Sequence, residues 1–182
     1  MPKFFITISN GFNMKRIALT TVMILMTAIL CRGGDKTEVQ WKNLTVGLEE
    51  AKKSNKKVLL DVYTDWCGWC KKLDKDVYAN EKVAEYLKQQ YVAVKLNAES
   101  TAKITYKGKT MSEMELAQAF GIHSYPNILF LDAAGEPINS LGGYVNAEKF
   151  LPIVKFIGED FYKKMTWQQY LEKSGIKEKT VD

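Results

Sequence analysis

The sequence predicts an α/β domain, and three stretches carry that prediction. Residues 58–63 (Val-Leu-Leu-Asp-Val-Tyr) are apolar and rich in β-branched side chains, so they read as a buried strand, and they run directly into a segment with helical spacing. Residues 81–89 follow Asn80, a good N-cap, set Val83, Ala84 and Leu87 on one face, and lead into a second strand-like run at 91–96. A further helix begins at Ala147 behind Asn146, with Phe150, Leu151, Ile153, Val154 and Ile157 available to pack on a sheet. At 182 residues, 46% hydrophobic and 26% charged, the chain can build one core and a modest extension.

From the N-terminus, Met14-Lys15-Arg16 is a short basic region and residues 17–30 are apolar apart from three Thr. That length suits a signal peptide and is short for a membrane span. A signal usually begins with its basic residues, so Met14 is the expected true start, with an uncleaved anchor that includes residues 1–13 as the alternative. Residues 1–31 are read as this targeting segment and 32–38 as a polar linker. The net charge of +5 includes Lys3, Lys15 and Arg16 from the segment, which holds no acid, so the remainder is only +2 and gives no basis for a nucleic-acid partner.

Residues 39–41 are expected to form a short first strand, with Trp41 as a packing residue. Thr45 to Ser54 reads as a helix with Val46, Leu48 and Ala51 as a thin apolar stripe. Residues 98–110 are polar, carry Gly108 between two Lys, and are read as a solvated loop. Ser112 and Glu115 form a capping box for a helix through Phe120 that Gly121 ends. Pro152 predicts a kink or a delayed start in the helix from Ala147. Beyond Gly158, Phe161, Tyr162, Met165, Trp167, Tyr170 and Leu171 make an aromatic extension with Thr166 as a cap, expected to fold back as a helical appendage; a partner-binding helix is the alternative.

The chemistry centres on Cys67-Gly68-Trp69-Cys70. Two cysteines three apart share one side of a helical turn and can close a small disulfide ring. At a helix start, free backbone N–H groups and the nearby Lys71 and Lys72 stabilise a Cys67 thiolate, making it the attacking sulfur. Cys70 then resolves the mixed disulfide. The other readings of the pair are a structural disulfide or half of a zinc site, although zinc wants about four N/S ligands and the chain offers His123 and Cys31 besides. No metal or other cofactor is expected. His123, the sole histidine, is read as a surface-loop residue.

The stretch from Val58 to Lys72 resembles the active-site strand, loop and helix of the thioredoxin family, most of all the periplasmic thioredoxin-like domains of transmembrane thiol:disulfide interchange reductases. Further matches follow in order: Val94-Lys95-Leu96-Asn97, then Gly121-Ile122-His123-Ser124-Tyr125-Pro126-Asn127, then the hairpin 128–132 through Gly135-Glu136 to 141–143. The resemblance covers residues 39–158, leaving 159–182 as a C-terminal helical extension. It implies a thioredoxin fold, a central mixed sheet flanked by helices.

An acid inside an apolar strand is costly if buried unpaired, so Asp61 stands out; a strand-edge surface position is the plain alternative. Burial raises a carboxyl pKa and suits Asp61 to take a proton from Cys70. The resemblance assigns it that role, with Lys95 beside it. It also makes Tyr125-Pro126 a cis-proline loop facing the dithiol, where the extended Tyr125 backbone offers its N–H and C=O to a substrate strand. A trans turn proline is the alternative. Trp66, Gly68, Trp69, Tyr125 and Pro126 are the expected substrate contacts, the three rings forming an apolar rim, although Trp66 also reads as packing beside the site. Trp69 stands where thioredoxin itself carries proline.

The sequence therefore predicts an exported thiol:disulfide oxidoreductase that reduces protein disulfides in the periplasm or on a cell-envelope face. Re-reduction would come from a membrane thiol reductase. Cys31, at the end of the apolar run, resembles a lipoprotein cysteine and would tether the protein; soluble export is the alternative. Oxidase or isomerase activity, or a redox-switched binding module, are the competing functions.

Overall fold

The computed structural model describes residues 37–176. The targeting segment, Cys31 and most of the linker lie outside the described residues, as does the end of the extension. Among the described residues no helix is long and apolar enough to cross a membrane.

Helix α1 (Leu44–Ser54) starts at Asn43, whose side chain accepts the Val46 N–H, and ends at Asn55 in the left-handed region. Strand β1 (Lys57–Tyr63) leads to α2 (Gly68–Leu73), a π-helical turn (Asp74–Tyr78), α3 (Glu81–Gln90) and β2 (Tyr91–Asn97). Strands β3 (Lys103–Tyr106) and β4 (Lys109–Ser112), helix α4 (Glu113–Ala119), β5 (Asn127–Leu131) and β6 (Pro137–Gly142) follow. Helix α5 (Ala147–Gly158), a 3-10 turn (Phe161–Lys163) and α6 (Trp167–Ser174) complete the order.

The main sheet runs β2-β1-β5-β6, with β1 parallel to β2 and antiparallel to β5. Successive side chains on β1 alternate between two cores. Val58, Leu60 and Val62 face a cluster containing Leu44 and Ala51 of α1 and Leu116 of α4. Leu59 faces the other, with Leu73, Val77 and Tyr78 of the active-site layer, Val83 and Leu87 of α3, and Phe150 and Val154 of α5. Asp61 has the parity of Leu59, so the strand aims its carboxyl into the layer formed by α2 and the π-helical turn.

Several elements differ from expectation. Residues 39–41 form no strand; the pairing shrinks to one bridge between Lys42 and Val94, where Lys42 N–H donates to the Ala93 carbonyl (3.0 Å). Val46 is exposed, because the buried face of α1 runs through Leu44, Gly47 and Ala51 with Leu48 at its margin. Gly47 carries no hydrophobic signal, yet it lies hard against the sheet: a Cβ there would stand 2.2 Å from Val94 Cγ2. Gly47→Ala should destabilise the protein by about 1–3 kcal/mol through overpacking, read as a lowered denaturation midpoint at unchanged slope.

Part of the expected 98–110 loop is the β3–β4 hairpin. Its two-residue turn places Lys107 (φ 49°) and Gly108 (φ 78°) in the left-handed region, the geometry that matches strand twist. Ile104 and Tyr106 alternate inward, and the Tyr106 hydroxyl donates to the Gly135 carbonyl (2.6 Å). The capping box at Ser112 and Glu115 is formed, as is the Asn146 cap of α5. Pro152 sits within α5 and does not delay its start. The extension folds back: Phe156 of α5 meets Trp167 (5.3 Å between ring centres) and Tyr170 (5.2 Å), so the aromatic face of α6 is spent on α5.

Candidate active site

The chain leaves the sheet at Tyr63, and the Cys67 N–H donates to the Thr64 carbonyl (3.1 Å), closing a turn that sets Cys67 at the N-cap of α2. There its Sγ accepts the backbone N–H of Cys70 at 3.0 Å. Cys67 and Cys70 are disulfide-bonded, with 5.3 Å between Cα atoms, and both are only 3% exposed. A sulfur that accepts an N–H at a helix start is held where negative charge is stabilised. Gly68, between the cysteines, has open space where a side chain would project.

Asp61 lies in the interior strand, not at an edge, and is 1% exposed. It sits opposite Lys95 in the β1–β2 register. Lys95 Nζ lies 2.9 Å from Asp61 Oδ2 and 2.6 Å from Asp74 Oδ1; the well-angled hydrogen bond goes to Asp74, and neither Asp61 oxygen accepts one. Burial pushes the Asp61 carboxyl up from the usual 3.8 to about 6; Lys95 opposes the rise and Asp74 adds to it. Desolvation also pulls on the Lys95 ammonium, but the two carboxylates outweigh it and hold its pKa above the usual range. Three rings surround that ammonium: Trp41 at 4.8 Å, Tyr63 at 5.1 Å and Tyr78 at 5.8 Å from the ring centres. The Tyr78 phenol, fully enclosed, is held protonated by burial and by the charges of Asp61 and Asp74.

The Tyr125–Pro126 bond is cis. Pro126 is buried, and its carbonyl accepts the Gly143 N–H (2.8 Å), tying this loop to the end of β6. Trp66 stands edge-on to Tyr125, 6.0 Å between ring centres, and its indole N–H donates to Glu99 Oε1 (2.9 Å). It is 66% exposed, so it is a surface ring rather than buried packing. Trp69, 58% exposed, tilts against Tyr144 at 5.3 Å. His123 is exposed. Among the described residues no group of three or more His, Cys, Asp or Glu is placed to hold a metal.

The fold thus joins Cys67 to Cys70, Asp61 to Lys95, and Trp66 to Tyr125. The sequence reading missed Asp74, Glu99 and Tyr144. Asp74 had a signal: it lies four residues after Cys70, on the same face of a continuing helix. Glu99 and Tyr144 had none, since their partners Trp66 and Trp69 lie far from them in the sequence.

The family description "Thioredoxin-like domain" matches residues 44–158. The chain belongs to the thioredoxin-like family. It is 36% identical over 109 residues to the thiol:disulfide interchange protein DsbD of Vibrio vulnificus, an alignment that takes in 59% of this chain and only 17% of that protein. A thioredoxin-fold protein from Helicobacter pylori is 28% identical with a TM-score of 0.56, covering 71% of this chain and 90% of its own. A solved structure of a putative disulphide-isomerase from Bacteroides thetaiotaomicron is 30% identical with a TM-score of 0.53, over 70% and 97% respectively. Family membership and the Cys67–Cys70 disulfide make this thioredoxin-like protein a thiol:disulfide redox protein.

Proposed function

We propose that this thioredoxin-like protein is an exported reductase of protein disulfides. The observation that carries the reading is the Cys67–Cys70 pair at the start of α2, in the layer into which β1 directs buried Asp61, paired with Lys95. The Cys67 thiolate attacks one sulfur of a substrate disulfide; a Cys67–substrate bond forms and the other substrate sulfur leaves as a thiolate. Asp61 takes the proton of Cys70, whose thiolate attacks Cys67 Sγ and expels the second substrate sulfur. Two electrons pass to the substrate and the protein is left with its disulfide, which a membrane thiol reductase returns to the dithiol. The substrate strand lies along Tyr125 and Pro126, with Trp66, Gly68 and Trp69 around it.

Export is supported by the basic-then-apolar order of residues 15–30, and exchange between thiols and disulfides by the name of the DsbD relatives. Lipidation at Cys31 would tether the protein to a membrane face. Equilibrating the Cys67/Cys70 couple against glutathione or dithiothreitol tests the direction. A potential near about −270 mV is expected for a reductase; one near about −120 mV would make the protein an oxidant that donates disulfides. Efficient reshuffling of scrambled disulfides would instead favour an isomerase, the activity attributed to the Bacteroides relative.

A further inference from the structure

Among the described residues, the large hydrophobic side chains left exposed are Val46, Trp66 and Trp69, and each tryptophan immediately precedes one cysteine of the pair. Exposed indoles normally keep rotamer freedom that binding must remove. These two are braced. Trp66 is fixed by Glu99 and Tyr125. Trp69 rests on Tyr144, and Tyr144 is itself held from the second turn beyond the cysteines: its hydroxyl donates to Asp76 Oδ2 (3.4 Å), Lys72 Nζ lies 5.4 Å from its ring centre, and Lys72 and Asp76 form an ion pair. The neighbouring Gly143 N–H bonds the Pro126 carbonyl, so the Tyr144 loop is joined to the proposed substrate loop as well.

The geometry points to Tyr144 as a specificity-determining positioning residue. It holds the Trp69 indole beside the dithiol so that the site prefers extended peptides with a bulky apolar side chain next to the reacting cysteine. This rests on the disulfide-reductase reading above and names its substrate class. A rigid aromatic surface gives up little entropy when an apolar side chain covers it, which is why braced rings discriminate better than loose ones. The effect falls on binding, because Tyr144 touches neither sulfur in this role.

The test compares two peptides with the same internal disulfide, one with Phe and one with Gly beside the cysteine, using wild type, Tyr144→Ala, Tyr144→Leu and Tyr144→Phe. Tyr144→Leu keeps volume in the loop, which guards against a variant that fails to fold. In Tyr144→Ala and Tyr144→Leu, KM for the Phe-flanked peptide should rise about fivefold with kcat within about twofold, the size expected for loss of one ring–ring contact. KM for the Gly-flanked peptide should stay near wild type in all three variants, and Tyr144→Phe, which keeps the ring against Trp69 but loses the hydroxyl's contact with Asp76, should fall between wild type and Tyr144→Leu on the Phe-flanked peptide. Equal losses on the two peptides, or no loss on either, overturn the proposal. If wild type reduces neither peptide, the reductase reading itself falls and takes this one with it, an outcome distinct from a change of selectivity.

Discussion

Replacing Cys70 with serine is expected to stop turnover while leaving Cys67 able to capture a substrate. The Cys67 sulfur accepts the Cys70 backbone N–H at 3.0 Å, and that N–H survives the substitution, so the environment that favours a thiolate is kept. Attack on a substrate disulfide then proceeds, but no second thiol is present to break the bond that results. Reduction of a protein disulfide such as that of insulin should fall by at least about 100-fold, and intact-protein mass spectrometry should find Cys70→Ser joined to substrate through Cys67. Cys67→Ser should lose turnover to the same degree without accumulating an adduct. If Cys67→Ser traps substrate and Cys70→Ser does not, the attacking and resolving roles are reversed. If both retain turnover, the pair is not the reacting centre.

How much of this was legible depended on whether a residue's partner is local in sequence. The dithiol was legible because Cys67 and Cys70 are each other's partners across a single helical turn. Asp61 was legible because an acid between Leu60 and Val62 contradicts its surroundings, and the strand did bury it. Caps such as Asn80, Ser112 and Thr166 serve the helix that follows them, so the helices they open are visible in the sequence. Gly47 hid the true face of α1, since the residue that lets helix and sheet approach is the one with no side chain to count. The β3–β4 hairpin was masked by its outward-facing Lys and Thr residues, which dilute the inward Ile104 and Tyr106. Glu99 and Tyr144 acquire meaning only from Trp66 and Trp69, 33 and 75 residues away respectively, and no spacing rule reaches that far.

Replacing Asp61 with asparagine is expected to stabilise the oxidised protein above pH 6 and to slow the step in which Cys70 releases substrate. Burial holds the Asp61 carboxyl near 6, against 3.8 for an ordinary aspartate, so between those values the folded protein binds a proton that the unfolded chain does not. The charged carboxyl therefore weakens the fold progressively as pH rises from about 4 through about 6, and the full effect, about 3 kcal/mol, is present above that window. Asparagine does not titrate. Its stability advantage over wild type should thus grow by about 2 kcal/mol between pH 4 and pH 8 in urea unfolding. Removing one partner of a buried ion pair usually leaves an uncompensated charge, but Lys95 keeps Asp74 at 2.6 Å and is itself 21% exposed, which limits that cost. As a base, Asp61 acts only when ionised, so the wild-type rate of mixed-disulfide resolution should rise with pH through about 6, and in Asp61→Asn this inflection should vanish with a rate lowered about 100-fold at pH 7. A stability difference that does not change with pH would mean that Asp61 is not held near 6. A resolution rate that keeps its inflection in the variant would assign the proton to another acceptor, for which Asp74, joined to Asp61 through Lys95, is the group to replace next.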